Sequence, residues 1–171
     1  SGTMGNSIVS SMMLESISNS AGLKYESTLT GFKWVSRVNN LIFGYEEALG
    51  YCVDPKNVSD KDGISAAAMF MEMLVYLKSQ GKTIWQVLDE LALVHGLHAT
   101  DQVSVRVTSS EQVALVMAGI RSTPPSELGD LKVIRIDDLA KGLGELPKTD
   151  AVIIHLAGTD QIQKARVIVR P

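Results

Sequence analysis

Hydrophobic and polar positions in the first half of the chain switch between a strand period and a helix period. Residues 6–10 (NSIVS) form a short β-branched run that predicts a strand. Ser10 and Ser11 can cap a following helix that carries Met13, Leu14 and Ile17 on one side, with Gly22 as its stop. Residues 23–28 (LKYEST) alternate apolar and polar, the pattern of a half-buried strand. Thr30 and Gly31 then punctuate the chain before a short helix over 32–35, and residues 40–43 (NLIF) predict another strand ahead of Gly44. This β-α-β-α-β order predicts α/β layers around a largely parallel sheet. Two stronger helices follow. Ile64, Ala67, Ala68, Met71, Leu74 and Val75 recur at helical spacing, one apolar stripe that starts after Asp62-Gly63 and ends near Gly81. Thr83 and Gln86 form a capping box for the next helix, whose buried face is expected to be Trp85, Leu88, Leu91 and Ala92, with Gly96 as its end.

The second half reads differently. Residues 102–108 (QVSVRVT) alternate strictly and predict a strand with Val103, Val105 and Val107 on one face. Ser109 and Gln112 suggest a second capping box, for a helix with Val113, Val116, Met117 and Ile120 inward. The Pro124-Pro125 pair ends that helix. Residues 131–136 (LKVIRI), 151–156 (AVIIHL) and 164–170 (KARVIVR) predict three more strands, the last two joined by a loop of hairpin length. A domain boundary is therefore placed near 98–101, with one domain at 6–99 and a second at 100–171. Residues 1–5 read as an expression scar outside the fold.

Composition narrows the class. With 171 residues, 45% hydrophobic and 20% charged, the chain is globular rather than disordered. Sixteen Lys and Arg against 19 Asp and Glu leave a net charge of −3, which excludes a counterion-displacing nucleic-acid binder. No apolar run approaches the ~20 residues of a membrane span. The lone Cys52 has no partner for an internal disulfide, which fits a reducing, cytoplasmic compartment.

Candidate chemistry is concentrated in two segments. In Thr30-Gly31-Phe32-Lys33-Trp34 (TGFKW), a glycine at a strand-to-helix turn frees backbone N–H groups and a lysine adds positive charge. That combination suits a phosphate or a polyhydroxylated ligand; the alternative is a helix start with two core aromatics and Lys33 in solvent. In residues 43–51 (FGYEEALGY), glycines bracket Glu46 and Glu47. A carboxylate accepts hydrogen bonds from two neighbouring sugar hydroxyls at once. Adjacent side chains diverge, so the two acids do not act on one bond; one binds ligand while the other is expected to make an internal salt bridge, or both lie in a solvated turn. Asp60-Lys61-Asp62-Gly63 lacks the remaining ligand positions of a calcium loop, and Asp62 reads as a helix cap. His95 and His98 read as helix-end or surface histidines, His155 as a structural residue, and Cys52 as a small buried one.

TGFKW followed by FGYEEALGY, DKDG and an Ala-rich helix resembles the α-D-phosphohexomutase superfamily, of the phosphoglucomutase/phosphomannomutase type. The resemblance covers nearly all of residues 6–171. It implies a three-layer α/β mixed-sheet domain, the family's third, followed by a smaller α+β domain, most of its fourth, of TATA-box-binding-protein-like fold. It further implies a mutase that moves a phosphoryl group within one sugar through a bisphosphorylated intermediate. Family members carry a phosphoserine in the first domain and an Mg²⁺-binding aspartate loop in the second. Neither motif occurs here, so the resemblance implies a fragment, by engineered truncation or proteolysis, that is inactive alone. Mg²⁺, a glucose 1,6-bisphosphate-type activator and the first two domains are expected outside this chain. Carried over by position, Thr30, Gly31 and Lys33 face substrate from the bend, and Glu46 and Glu47 lie in the sugar-reading turn with Glu46 on the hydroxyls. Ala48 stands where many relatives have a serine, and Arg170 begins a phosphate grip. The loss of that serine leaves hexose against pentose phosphate open, with phosphopentomutase and phosphoglucosamine mutase as alternatives. A non-catalytic α/β binding module is the remaining one.

Overall fold

A computed structural model describes residues 2–171. The chain divides after Asp101 into two compact units. The first contains β1 (Thr3–Ser7), α1 (Met13–Ser20), β2 (Lys24–Thr28), α2 (Phe32–Val35), β3 (Leu41–Glu46), β4 (Gly50–Cys52), α3 (Gly63–Ser79) and α4 (Ile84–His95). Its sheet runs β2-β1-β3-β4, with β1 parallel to both neighbours and β4 antiparallel to β3. The chain steps outward from β1 to β2, then crosses back over β1 to β3. Right-handed crossovers running in opposite directions place α1 and α2 on opposite faces of the sheet.

The central strand corrects the reading of the amino terminus. Thr3, Met4 and Gly5 belong to β1, which ends at Ser7, and β1 pairs along its length with β2. Residues 8–10 of the predicted strand lie beyond it. The error has a physical source: apart from Met4, β1 is built from small and polar residues whose burial comes from its central place, so no apolar run marks it. On the α2 face, Phe32, Val35, Val38, Leu41 and Cys52 form one buried cluster. A Cβ at Gly44 would stand 2.6 Å from Val35 Cγ1, so glycine here is what lets α2 sit directly on β3.

β3 is longer than predicted and folds back through residues 47–49 into β4, a strand the pattern did not reveal. A three-residue hairpin loop of this kind closes with its last residue left-handed, here Leu49 at φ 62°. Asp62 caps α3 by accepting the Ile64 N–H at 3.0 Å. The Thr83–Gln86 capping box of α4 is complete, with Gln86 Oε1 accepting the Thr83 N–H at 2.8 Å. The stripes on these helices are not buried as expected. Ile64 and Trp85 are 84% and 72% exposed, Leu77 is the only buried residue of α3, and α4 has none.

The second unit contains α5 (Ser110–Ser122), β5 (Glu127–Leu128), β6 (Leu131–Asp138), β7 (Val152–Leu156) and β8 (Ala165–Val169). Its sheet is antiparallel throughout, in the order β5-β6-β7-β8. The alternating segment at 102–108 is not a strand, and Val103 is 87% exposed. Alternation makes a strand only where a neighbouring edge accepts its backbone hydrogen bonds, and neither sheet among the described residues includes this segment. Ser109 accepts the Gln112 N–H, but Gln112 Oε1 turns to the Thr108 N–H at 3.0 Å, so the second box is incomplete. Met117 is buried against Val152, Ile154 and Leu156, while Val116, expected inward, is exposed.

Candidate functional site

The three parallel strands of the first unit end on the same side of the sheet, and the loops that leave them carry the candidate chemistry. In a sheet of this order, connections from β1 and to β3 diverge between those two strands, the position where α/β proteins open a crevice at the carboxyl ends. After β2, Gly31 adopts φ 104° and ψ 125°, a conformation that L side chains rarely take. Its N–H donates to Glu46 Oε1 at 2.6 Å, a charge-assisted bond that fixes the acid at the end of β3. Glu46 Oε2 takes no further hydrogen bond from the described residues.

Glu47 turns away from its neighbour, as successive side chains on an extended backbone must. It accepts the hydroxyl of Ser10, from the loop after β1, rather than the salt bridge expected of one acid of the pair. Beside it, Tyr45 accepts from Asn6 Nδ2 at 3.2 Å, and Asn6 Oδ1 accepts the Tyr25 hydroxyl at 2.8 Å. Burial pushes the Tyr45 phenol above its ordinary pKa against the pull of the Asn6 bond, and the charge of Glu47 adds to the rise.

Lys33 is exposed, with Nζ 5.6 Å from the centroid of the Trp34 ring, which Arg37 also approaches at 5.7 Å. Thr30 is half-buried beside Gly31, and Ala48 is exposed at the tip of the turn. A second cation escaped the sequence reading. Lys61 lays its stem against Gly50, where a Cβ would meet Lys61 Cδ at 2.6 Å, and its ammonium stands 5.0 Å from the Phe32 ring centroid. Gly50 is the strand partner of Glu46, so Lys61 lies beside the pair that presents the acid. The one signal in the sequence was the glycine at 50, which leaves room for a side chain from elsewhere. Asp60 is held below the usual carboxylate range by the backbone N–H and then the ammonium of Lys61, and Asp62 by the Ser65 hydroxyl and the Ile64 N–H.

Arg170 follows β8 in the second unit, apart in the chain from the other candidates. His155 Nε2 lies 2.7 Å from Asp137 Oδ2, and Arg135 joins both, an ion-paired patch across β6 and β7. His95 pairs with Ser16 Oγ at 3.0 Å, and His98 with the carbonyl of His95. Among the described residues no group of three or more His, Cys, Asp or Glu could hold a metal ion. Cys52 is buried, and that burial pushes its thiol up, with Asp60 and Asp54 adding to the rise.

Comparison with known proteins finds relatives of one kind. A phosphomannomutase-named protein of Haemophilus influenzae is 43% identical over 140 residues, which is 82% of this chain and 29% of that protein. Staphylococcus aureus phosphoglucomutase is 32% identical over 145 residues, 79% of this chain and 26% of the relative. Human phosphopentomutase is 29% identical over 172 residues, 93% of this chain and 28% of the relative. The chain thus spans less than a third of the length of these relatives. A solved structure from Thermus thermophilus that carries the phosphomannomutase name shares the fold, with a TM-score of 0.59 and 18% identity over 99% of this chain and 33% of the other. Residues 1–94 match the family described as phosphoglucomutase/phosphomannomutase, alpha/beta/alpha domain III. With that match over more than half of its length, the chain belongs to the phosphoglucomutase/phosphomannomutase family.

Proposed function

We propose that this chain is the sugar-reading part, with part of the phosphate-gripping part, of a phosphosugar mutase. The observation that carries the proposal is Glu46, fixed by the Gly31 N–H at the carboxyl ends of β1 and β3 with its second oxygen open. A carboxylate so placed accepts hydrogen bonds from two neighbouring ring hydroxyls. Lys61 and Lys33 add positive charge for a phosphate, and Arg170 supplies a further cation in the second unit. The reaction moves a phosphoryl group between two hydroxyls of one sugar through a bisphosphorylated sugar, so the ring is held in two opposite orientations. A carboxylate that reads hydroxyls common to both orientations serves each of them. The phosphoserine, Mg²⁺ with its ligands, and a glucose 1,6-bisphosphate-type activator complete the reading outside these residues. Among the described residues no cluster of acidic, histidine or cysteine side chains fits Mg²⁺. No helix among the described residues is long and apolar enough to cross a membrane, and a cytoplasmic site of action completes the proposal.

One observation favours a pentose phosphate over a hexose phosphate: Ala48 at the tip of the turn brings no hydroxyl to the sugar. Titration of the isotope-labelled chain with glucose 1-phosphate and ribose 1-phosphate tests both readings. The amides of Gly31, Glu46 and Lys61 are expected to shift, and Glu46→Gln to weaken binding by about tenfold, as loss of a charged hydrogen bond does. Tighter binding of ribose 1-phosphate selects the pentose reading. Saturable shifts that Glu46→Gln leaves unchanged would point to a binding module that reads its ligand elsewhere. The chain alone is expected to interconvert no glucose 1-phosphate above background.

A further inference from the structure

We infer that Ser10 is a positioning residue for the acidic turn: from its buried place in the loop after β1 its hydroxyl binds Glu47 and so leaves Glu46 as the carboxylate that meets ligand. The inference rests on the sugar-reading role proposed for Glu46 and names the group that assigns that role within the pair.

The turn at 47–49 has little to hold it in place. Glu47, Ala48 and Leu49 are all exposed, and Leu49 sits in a left-handed conformation that a branched side chain disfavours. No apolar contact in the buried cluster includes these residues. What ties the segment down comes from β1 and the loop after it. Ser7 and Ser10 are both buried, their hydroxyls 3.1 Å apart, and the Ser10 N–H donates to the Ser7 carbonyl at 2.9 Å. The Ser10 hydroxyl is thus oriented before it reaches Glu47. Asn6, the residue before Ser7 on β1, holds Tyr45 on the same side of β3.

The two faces of the turn differ in what they offer a ligand. On the Glu47 side, Tyr45 stacks on Tyr51 with ring centroids 6.4 Å apart, and Asn6 and Tyr25 complete the hydrogen bonds of the Tyr45 and Asn6 side chains. On the Glu46 side stand the Gly31 N–H and the Lys61 ammonium over Phe32. A charged acceptor held by a buried hydroxyl is satisfied within the protein, whereas one held by a single backbone N–H beside a cation is set to take further donors. Without Ser10, Glu47 has no fixed direction, and the turn that carries Glu46 into place loses its anchor to the sheet.

The test uses the 171-residue chain, with amide hydrogen exchange at Ala48 and Leu49 as one readout and glucose 1-phosphate affinity as the other. Ser10→Ala is expected to speed exchange at both amides by about tenfold and to weaken glucose 1-phosphate severalfold, while Ser10→Thr, which keeps the hydroxyl, restores both. In the double variant Ser10→Ala/Glu47→Ala the effects should not exceed those of Glu47→Ala alone, because both changes break one interaction. Unchanged exchange in Ser10→Ala, or additive effects in the double variant, would overturn the inference. Should Ser10→Ala lose its fold by circular dichroism, exposed Glu47→Ala carries the same readout, and unchanged exchange there overturns it equally. Should the unaltered chain leave glucose 1-phosphate unbound, the proposed function falls, and the exchange arm still decides whether Ser10 anchors the turn.

Discussion

Leu49 is where a single residue shows what the site demands of its backbone. A three-residue hairpin loop needs its last residue left-handed, a state that costs an L residue about 1–2 kcal/mol. Leu49 occupies it at φ 62° with 83% of its surface exposed, so no packing of its side chain repays that strain. Leu49→Gly is therefore expected to stabilise the first unit by about 1 kcal/mol, read as a higher denaturant midpoint at unchanged slope. A lower midpoint would mean that the Leu49 side chain makes a contact that matters. The pattern of glycines around the two acids pointed to this turn, but a leucine in the position that glycine would favour carries no such mark. The divergence of Glu46 and Glu47 was legible, because the geometry of adjacent side chains is local. Which acid meets Gly31 and which meets Ser10 was not, because both partners come from loops that follow other strands.

Among the elements, α5 shows how little burial a correctly read helix can have. Of its expected inward positions only Met117 is buried, against Val152, Ile154 and Leu156 of β7. The docking of α5 on its sheet hence concentrates in one side chain. Met117→Ala is expected to cost about 2–5 kcal/mol, seen as a large drop in the melting temperature of the second unit with its strands otherwise unchanged. A loss under about 1 kcal/mol would show that Ile120 and the half-buried neighbours carry the helix. Helix positions were recovered from periodicity and caps, since Asp62, Thr83 and Ser109 all accept the N–H groups that their spacing implied. Strands fared worse where burial did not come from hydrophobicity. β1 is mostly small and polar yet central, and residues 102–108 alternate yet join neither sheet.

For the whole molecule, the perturbed carboxylates shift down and the buried phenol and thiol shift up. In the second unit Asp138 works against its own burial, but the Arg121 guanidinium, the Ala140 N–H and the charge of Lys141 hold it below the usual carboxylate range. A carboxylate whose pKa falls on folding contributes stability that is present at neutral pH and lost as the pH drops through that range to its depressed folded value. Asp150 engages the same guanidinium at 2.6 Å, so Arg121 joins β6 to the loop before β7. Acid is expected to weaken the second unit, and Asp138→Asn to flatten that dependence while lowering the melting temperature at neutral pH. In the first unit burial raises Tyr45 and Cys52, whose contributions are present below their unfolded values and lost as the pH climbs through the folded ones. Melting followed separately in each unit across acid and alkaline pH checks both signs; a second unit indifferent to acid would refute the role given to Arg121.

What the sequence determined by itself is what short-range physics fixes: helix caps, the glycine bend, the acidic turn, the β-α-β-α-β order, and motifs distinctive enough to carry the family resemblance. What only the tertiary structure decided is everything that depends on which strand lies beside which. Central placement buries the polar β1 and sets Ser10 against Glu47, and the Gly31 N–H meets Glu46 only because the loops after β2 and β3 share one end of the sheet. Lys61 reaches Gly50 across the same fold, over a separation in the chain that no local pattern spans. Periodicity reports the environment that a segment is built for, and the sheet order reports which neighbours supply it.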